Sequence, residues 1–434
     1  MRIVHLAAGA GGMYCGSCLH SNALAAALRA QGVDITLVPV YTPLRTDEPG
    51  QAIDRVAMGG VNVYLQQMSA LFGHLPRRLA GVLDHPQLLR WLGRRSMALR
   101  PARLGPLTVS VLRGEEGRQR KELEKLVDWL ADELRPQLVH LSTVLLVGLA
   151  RPIARRLRVP VVCSLSGEDI FLEDLPPRYQ AEAQSLLRDA CGDLAALVAL
   201  NGYYADRMAE YLAVDRRRIC VIRPGISIPP PPTRHRVATP LTIGFLGRIC
   251  PAKGLHLLAE AFTLLARDPS LPPLRLQAAG YLDPADRHYL VAIQRQLAEQ
   301  GLADRFQYLG QPDHPEKLAF LQSLDVMSLP TVYRESKGFP VLEAWANGIP
   351  VVVPKHGTFP ELVADTGGGL LCRPGDPTDL AACLKRLLLD PELRAACGRR
   401  AQQAIGDRYH APRMAQETIA LYDRLLAPAS PAKD

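Results

Sequence analysis

The sequence predicts two doubly wound α/β domains in tandem, and three observations carry that expectation. A chain of 434 residues exceeds the ~250–300 at which one hydrophobic core stops growing, so two domains are the default. Short apolar runs of parallel-strand type alternate with helical patterns along most of its length. The alternation breaks once, at the stiff run Pro224-Gly225-Ile226-Ser227-Ile228-Pro229-Pro230-Pro231-Pro232, which reads as a linker.

In the first half the expected strands are Arg2–Ala8, Ile35–Val40, Leu138–Leu141, Val159–Ser164 and Leu197–Leu200, with helices such as Ser21–Arg29 and Lys121–Leu134 between them. After the linker a new alternation starts at Leu241. It continues through Leu274–Ala278, Phe306–Leu309, Val326–Leu329, Ile349–Val353 and Gly369–Cys372, and Ala411–Leu426 reads as a last helix before a loose tail.

The most informative stretch is Glu335-Ser336-Lys337-Gly338-Phe339-Pro340-Val341-Leu342-Glu343. It follows an apolar strand and opens a helical segment, Glu343 to Asn347, so it reads as strand, glycine turn and helix N-terminus. Such a terminus offers backbone N–H groups and the positive end of a dipole to an anion, and Gly338 lets the backbone approach it closely. Pro340 fits as a first helical residue. Ionised carboxylates only accept hydrogen bonds, so two of them beside a phosphate cradle imply a ligand with hydroxyls flanking its phosphates. A nucleotide sugar has that form.

At these residues the chain resembles the retaining glycosyltransferases of family 4, whose signature is two glutamates separated by seven residues in the second of two Rossmann-like domains. The likeness extends through Ala344-Trp345-Ala346-Asn347-Gly348-Ile349-Pro350 and appears upstream in Ile243-Gly244-Phe245-Leu246-Gly247-Arg248-Ile249-Cys250-Pro251-Ala252-Lys253-Gly254. The resemblance implies a GT-B fold, with two such domains facing across a cleft. Residues 1–228 would form the acceptor domain, 229–240 a linker and 241–410 the donor domain, with the helix about 411–426 crossing back onto the first. It implies that Arg248 and Lys253 hold the donor diphosphate, that Glu343 accepts hydrogen bonds from the ribose and that Glu335 contacts the transferred sugar. Gly247 and the amides of Gly338 and Phe339 would complete the phosphate cradle. The two cations would make a divalent metal unnecessary, and no cofactor is expected beyond the nucleoside diphosphate sugar, with UDP the commonest donor in the wider group. Arg suits phosphate oxygens through its planar fork and Lys as a point charge.

In the first half, Gly9-Ala10-Gly11-Gly12 resembles the family's glycine loop, which places Gly12 near the donor phosphates. Where the family often has a histidine after the fourth strand, this chain has Ser166-Gly167-Glu168-Asp169. Ser166, Glu168 and Asp169 are therefore candidates for acceptor or sugar contacts, with helix capping the alternative for the two acids. His140 follows a strand and is a further candidate. Arg223-Pro224-Gly225-Ile226-Ser227 stands where relatives have a related hinge.

Composition narrows the remaining classes. Nine cysteines without a secretion signal argue against a disulfide framework, and Cys15-Gly16-Ser17-Cys18 reads as a loop-shaping pair with a thiol oxidoreductase as outsider. The first strand begins at Arg2, and no apolar stretch reaches ~18 residues, so a cytoplasmic location is expected. The formal net charge of +8 concentrates in 77–103, where Arg77, Arg78, Arg90, Arg94, Arg95, Arg100 and Arg103 face one acid, Asp84. That is the pattern of a basic amphipathic segment able to contact an anionic membrane, or of a solvated helical face. No nucleic-acid motif accompanies the charge. The expected activity is transfer of a sugar to an unidentified hydroxyl acceptor, lipid-linked and polysaccharide acceptors among the candidates. A nucleotide-sugar epimerase and a non-catalytic nucleotide-sugar binder on the same fold are the alternatives.

Overall fold

The structure, a computed structural model, describes residues 1–9, 15–59, 101–228 and 239–427. Gly12, the arginine-rich 77–100, most of the proline run and the final residues lie outside them. The chain divides into two compact units, Met1–Gly225 with Ala411–Asp434, and Ile226–His410. Each is built on a six-stranded parallel sheet.

The first unit contains β1 (Arg2–Ala8), α1 (Gly16–Ala30), β2 (Asp34–Val40), α2 (Pro101–Leu112), α3 (Arg120–Trp129), β3 (Leu138–Leu141), α4 (Ala150–Leu157), β4 (Val161–Ser164), α5 (Glu168–Glu173), α6 (Pro177–Ala190), β5 (Ala196–Ala199), α7 (Gly202–Leu212) and β6 (Ile219–Val221). Its strand order is β2-β1-β3-β4-β5-β6, which reverses direction of winding between β1 and β3. Helices cover both faces, which is why the strands read as nearly continuous apolar runs: Ile3, Val4, Leu6 and Ala7 are all buried.

The second unit contains β7 (Leu241–Leu246), α8 (Leu255–Ala266), β8 (Leu274–Ala279), α9 (Arg287–Glu299), β9 (Phe306–Tyr308), α10 (His314–Gln322), β10 (Val326–Ser328), α11 (Phe339–Ala346), β11 (Val351–Pro354), α12 (Phe359–Thr366), β12 (Gly369–Cys372), α13 (Pro377–Leu389) and α14 (Pro391–Arg408). Its order β12-β11-β10-β7-β8-β9 is the Rossmann winding, with the reversal between β7 and β10. Local signals fix several helix starts. Asp313 and Glu316 form a reciprocal capping box on α10, and Asp376 and Asp390 accept first-turn N–H groups on α13 and α14. Trp345 fills the core of this unit and donates its indole N–H to Gly368 O at 2.8 Å.

The last helix, α15 (Ala411–Leu426), packs against α1 and β3 of the first unit. Its Tyr422 is fully buried and hydrogen-bonds His140 Nδ1 at 2.6 Å, while Ser164 Oγ meets Nε2 at 2.8 Å. His140 thus lies inside β3 rather than after it. Its ring stacks at 4.7 Å on His5, its register partner in β1, whose two nitrogens are buried without a hydrogen bond. Among the described residues no helix is long and apolar enough to cross a membrane. Every cysteine is a free thiol, with Cys15 at the N-cap of α1 and Cys18 buried against Ala8 O.

Candidate functional site

Winding reversal leaves a gap at the carboxyl ends of two neighbouring strands, because their connections depart to opposite faces. In the second unit these are β7 and β10, and the loops that follow them are bound to each other. Val332 N donates to Ala252 O at 2.9 Å. Gly254 adopts φ +79°, and a Cβ there would sit 1.8 Å from Pro330 O, so only glycine permits this approach.

The result is a three-membered polar cluster. Lys253, at the end of the 3₁₀ turn Pro251–Lys253, places Nζ 2.7 Å from Glu335 Oε2 and also donates to the Tyr333 hydroxyl. Tyr333 in turn donates to Glu335 Oε2 at 2.7 Å, and Glu335 Oε1 accepts Lys337 N at 3.2 Å. Glu335 is only 3% exposed. A third loop supports it from β11. Thr358 N donates to Glu335 O at 2.8 Å, and Gly357, at φ +61°, lies so close that a Cβ would meet Glu335 O at 2.5 Å.

Burial on its own would raise the Glu335 pKa, but the Lys253 charge and the hydrogen bonds from Lys253 and Tyr333 outweigh it and hold the carboxyl at about 2. Burial and the neighbouring carboxylate push the Tyr333 phenol far up, so it stays protonated and able to donate. Arg248, on the same loop as Lys253, is solvent-exposed. Its Nε donates to Cys250 Sγ at 3.3 Å, and among the described residues no carboxylate lies within ion-pair distance of it. Gly247 precedes it at the end of β7, next to Gly280, where a Cβ would lie 1.9 Å from Gly247 O.

Gly338 caps α11 at φ +72°, with Leu362 Cδ1 2.7 Å from where a Cβ would be. The helix begins at Phe339, so Pro340 is its second residue rather than its first, and Glu343 lies within it rather than opening it. Both Phe339 and Pro340 are in the first turn, whose N–H groups lack intrahelical acceptors. Glu343 Oε1 pairs with Lys317 Nζ of α10 at 2.6 Å. Lys253, Arg248, Glu335, Gly338 and Phe339 therefore lie on two adjoining loops, with Glu343 one helical turn further on. Tyr333 and Lys317 were not anticipated from the sequence. Tyr333, two residues before Glu335, was visible in principle, whereas no local pattern connects Lys317 to Glu343.

The candidates in the first unit are placed differently. Glu168 is 4% exposed and accepts from Thr143 Oγ1, Val144 N and Ser166 Oγ on Oε1 and from Ser166 N on Oε2, while the single Tyr204 proton is shared between Oε2 and Asp169, at 2.6 to 3.2 Å. Asp169, 7% exposed, meets Tyr204 OH at 2.9 Å and Arg207 Nε at 3.5 Å. Both acids lie in the first turn of α5 without a side-chain bond at its N-cap, so their hydrogen bonds knit loops rather than cap that helix. His140 is 1% exposed with both nitrogens bonded. Among the described residues no group of three His, Cys, Asp or Glu side chains could hold a metal ion.

Two family models match the chain, "Glycosyl transferases group 1" over residues 233–404 and "Glycosyltransferase Family 4" over 58–228. A D-inositol 3-phosphate glycosyltransferase of Corynebacterium efficiens is 34% identical over 243 residues, 52% of this chain and 55% of that one. The chain spans about half the length of the curated relatives it matches first. Among solved structures, sucrose-phosphate synthase from Thermosynechococcus elongatus aligns with a TM-score of 0.71 at 17% identity, covering 98% of this chain and 99% of that one. HepE of Anabaena in complex with UDP aligns with a TM-score of 0.64 at 19% identity, covering 98% and 100%. The two parallel-sheet units align with these proteins and glycosyltransferase family models match both halves, so the chain has the GT-B fold and resembles the family 4 glycosyltransferases.

Proposed function

We propose that the protein is a retaining, metal-independent glycosyltransferase that moves a sugar from a nucleoside diphosphate sugar, most simply a UDP-sugar, to a hydroxyl acceptor. The observation that carries this reading is the Lys253–Tyr333–Glu335 cluster at the winding reversal of the second unit, beside the glycine-capped start of α11. An α/β sheet binds ligands at that point, and this one supplies cations, an N-terminal dipole and a buried carboxylate together. The Anabaena neighbour was solved with UDP and also with UDP-glucose, which favours the same donor class here.

In this reading Lys253 and Arg248 hold the diphosphate and stabilise the charge that develops on it as the bond to the sugar breaks. Lys253 has three N–H donors, two of them engaged by Tyr333 and Glu335 before the donor arrives, and the third gives an incoming phosphate oxygen its first contact before the ammonium turns toward the diphosphate. Glu335 orients the sugar through its hydroxyls, and Glu343, held by Lys317, receives the ribose. The acceptor attacks from the face the phosphate leaves, and the departing phosphate takes up the acceptor proton, so no separate enzymic base is assigned. The first unit would carry the acceptor, and its segment 77–103 would hold the enzyme at an anionic surface.

The test is a transfer assay with UDP-, GDP- and ADP-sugars and mixed hydroxyl acceptors in EDTA, with anomeric analysis of the product by NMR. A product of retained configuration, lost in Lys253→Met, supports the reading. Epimerised donor without transfer, or a requirement for divalent metal, contradicts it.

A further inference from the structure

We propose that Tyr333 is a positioning residue that keeps Glu335 anionic and aimed at the sugar when the donor diphosphate draws Lys253 away. This rests on the donor site proposed above and adds to it a residue that couples its phosphate end to its sugar end.

The geometry leads there in steps. Glu335 is buried, and its Oε2 has two donors, the Lys253 ammonium and the Tyr333 hydroxyl. The ammonium also donates to that hydroxyl and lies 5.0 Å from the ring centroid. Three groups thus close a triangle in which the phenol is acceptor toward Lys253 and donor toward Glu335. A diphosphate arriving beside Lys253 is a stronger attractor than one carboxylate, because it carries more charge. As Lys253 turns toward it, Glu335 loses its cation while remaining buried, and a buried carboxylate without a partner takes up a proton. A protonated acid can no longer accept on both oxygens, and its hold on the sugar hydroxyls changes. The phenol prevents this. Its backbone is anchored by the adjoining Val332 N to Ala252 O bond, so the hydroxyl stays on Oε2 whether or not Lys253 does.

Among the described residues, the charged and titratable groups that face Glu335 come from three loops, its own loop also carrying Arg334. Lys253 comes from the β7–α8 loop, Tyr333 and Lys337 from its own loop, and His356 from the β11–α12 loop. Arg248 acts on Tyr333 from the β7 side. Burial lowers the His356 pKa, and the Nε2–H donated to Thr331 O at 2.9 Å works against that shift.

The experiment compares wild type with Tyr333→Phe and Tyr333→His, using UDP and UDP-glucose as probes in calorimetric titrations, followed by kcat and KM as functions of pH. Tyr333→Phe keeps the ring and removes the hydroxyl. It should bind UDP within ~3-fold of wild type, while the extra affinity contributed by the sugar falls ~10-fold. The acid limb of kcat should move upward by about one pH unit or more. Tyr333→His restores a donor on a ring and should recover part of both effects, which a loss of packing alone would not produce. Wild-type sugar increment and pH profile in Tyr333→Phe, with UDP still bound, would overturn the role of Tyr333 and leave the donor site standing. Absence of UDP binding in the wild type would overturn both.

Discussion

Glu168 in the first unit and Glu335 in the second are both buried acids at the carboxyl ends of central strands, yet they are satisfied in opposite ways. Glu168 takes neutral donors from Thr143, Val144 and Ser166, with the Tyr204 proton shared between it and Asp169. Its acceptor capacity is used up, and the network it closes fixes the loops after β3 and β4. Glu335 is held by one cation, one phenol and one backbone N–H, and its cation stands beside an exposed arginine and the start of a helix. A carboxylate whose oxygens are all engaged holds its loops together, whereas one balanced by a cation that has a donor to spare can exchange partners with a ligand. Burial and sequence position do not separate the two, and the partner list does.

The largest effect that tests this contrast is Lys253→Met. It should lower transfer by ~100-fold or more, equivalent to about 2.7 kcal/mol of transition-state stabilisation. It also leaves Glu335 buried without its cation, at a cost of ~3 kcal/mol to folding readable by urea denaturation. Glu168→Gln should do the reverse. Exchanging one acceptor oxygen for an amide donor sets it against Thr143, Val144 or Ser166 and costs ~2–3 kcal/mol of stability, with UDP affinity unchanged in the protein that remains folded.

Next in size is acid stability, where the two units separate by pH. Burial, with His140 and His20 adding to it, lowers His5 well below 6.5, and burial brings His140 to about 3. The unfolded chain therefore binds more protons than the folded one as pH falls through 6.5, and the first unit loses stability progressively between pH 6.5 and about 3. Glu335, depressed from 4.5 to about 2, contributes stability that is complete above 4.5 and is lost only as pH drops from there toward 2. Melting curves at stepwise lower pH should show the first unit weakening from pH 6.5 down, and a concurrent loss of nucleotide binding beginning at pH 6 would argue against the assigned Glu335 state.

A smaller effect comes from α15. Tyr422→Phe removes one buried hydrogen bond to His140 and should cost about 1 kcal/mol, measured by thermal unfolding, without altering nucleotide binding.

Much of this layout was legible in the sequence because buried parallel strands are short apolar runs. Arg2–Ala8, Leu138–Leu141 and Gly369–Cys372 match their expected bounds, and the others agree to within a residue or two. The short edge strand Ile219–Val221 was missed, since three residues following Arg216–Arg218 show no period. The start of α11 was misread because Gly338 in the left-handed region lets the chain enter the helix at Phe339, four residues before Glu343. The Glu335–Glu343 spacing is local and could be read, as could Arg248 and Lys253. What could not be read were pairings made by the fold: Lys317 on α10 with Glu343, Pro330 against Gly254, and the donors on Glu168. These arise from strand order, and strand order leaves no mark within a single loop.

The most direct measurement is calorimetric titration of UDP into wild type, Lys253→Met and Glu168→Gln in EDTA, each checked for folding beforehand. The predicted result is micromolar to millimolar binding by wild type and Glu168→Gln, and a loss of ~10-fold or more in Lys253→Met. Equal affinity in Lys253→Met, or a loss in Glu168→Gln alone, would contradict the assignment of the nucleotide to the winding reversal of the second unit.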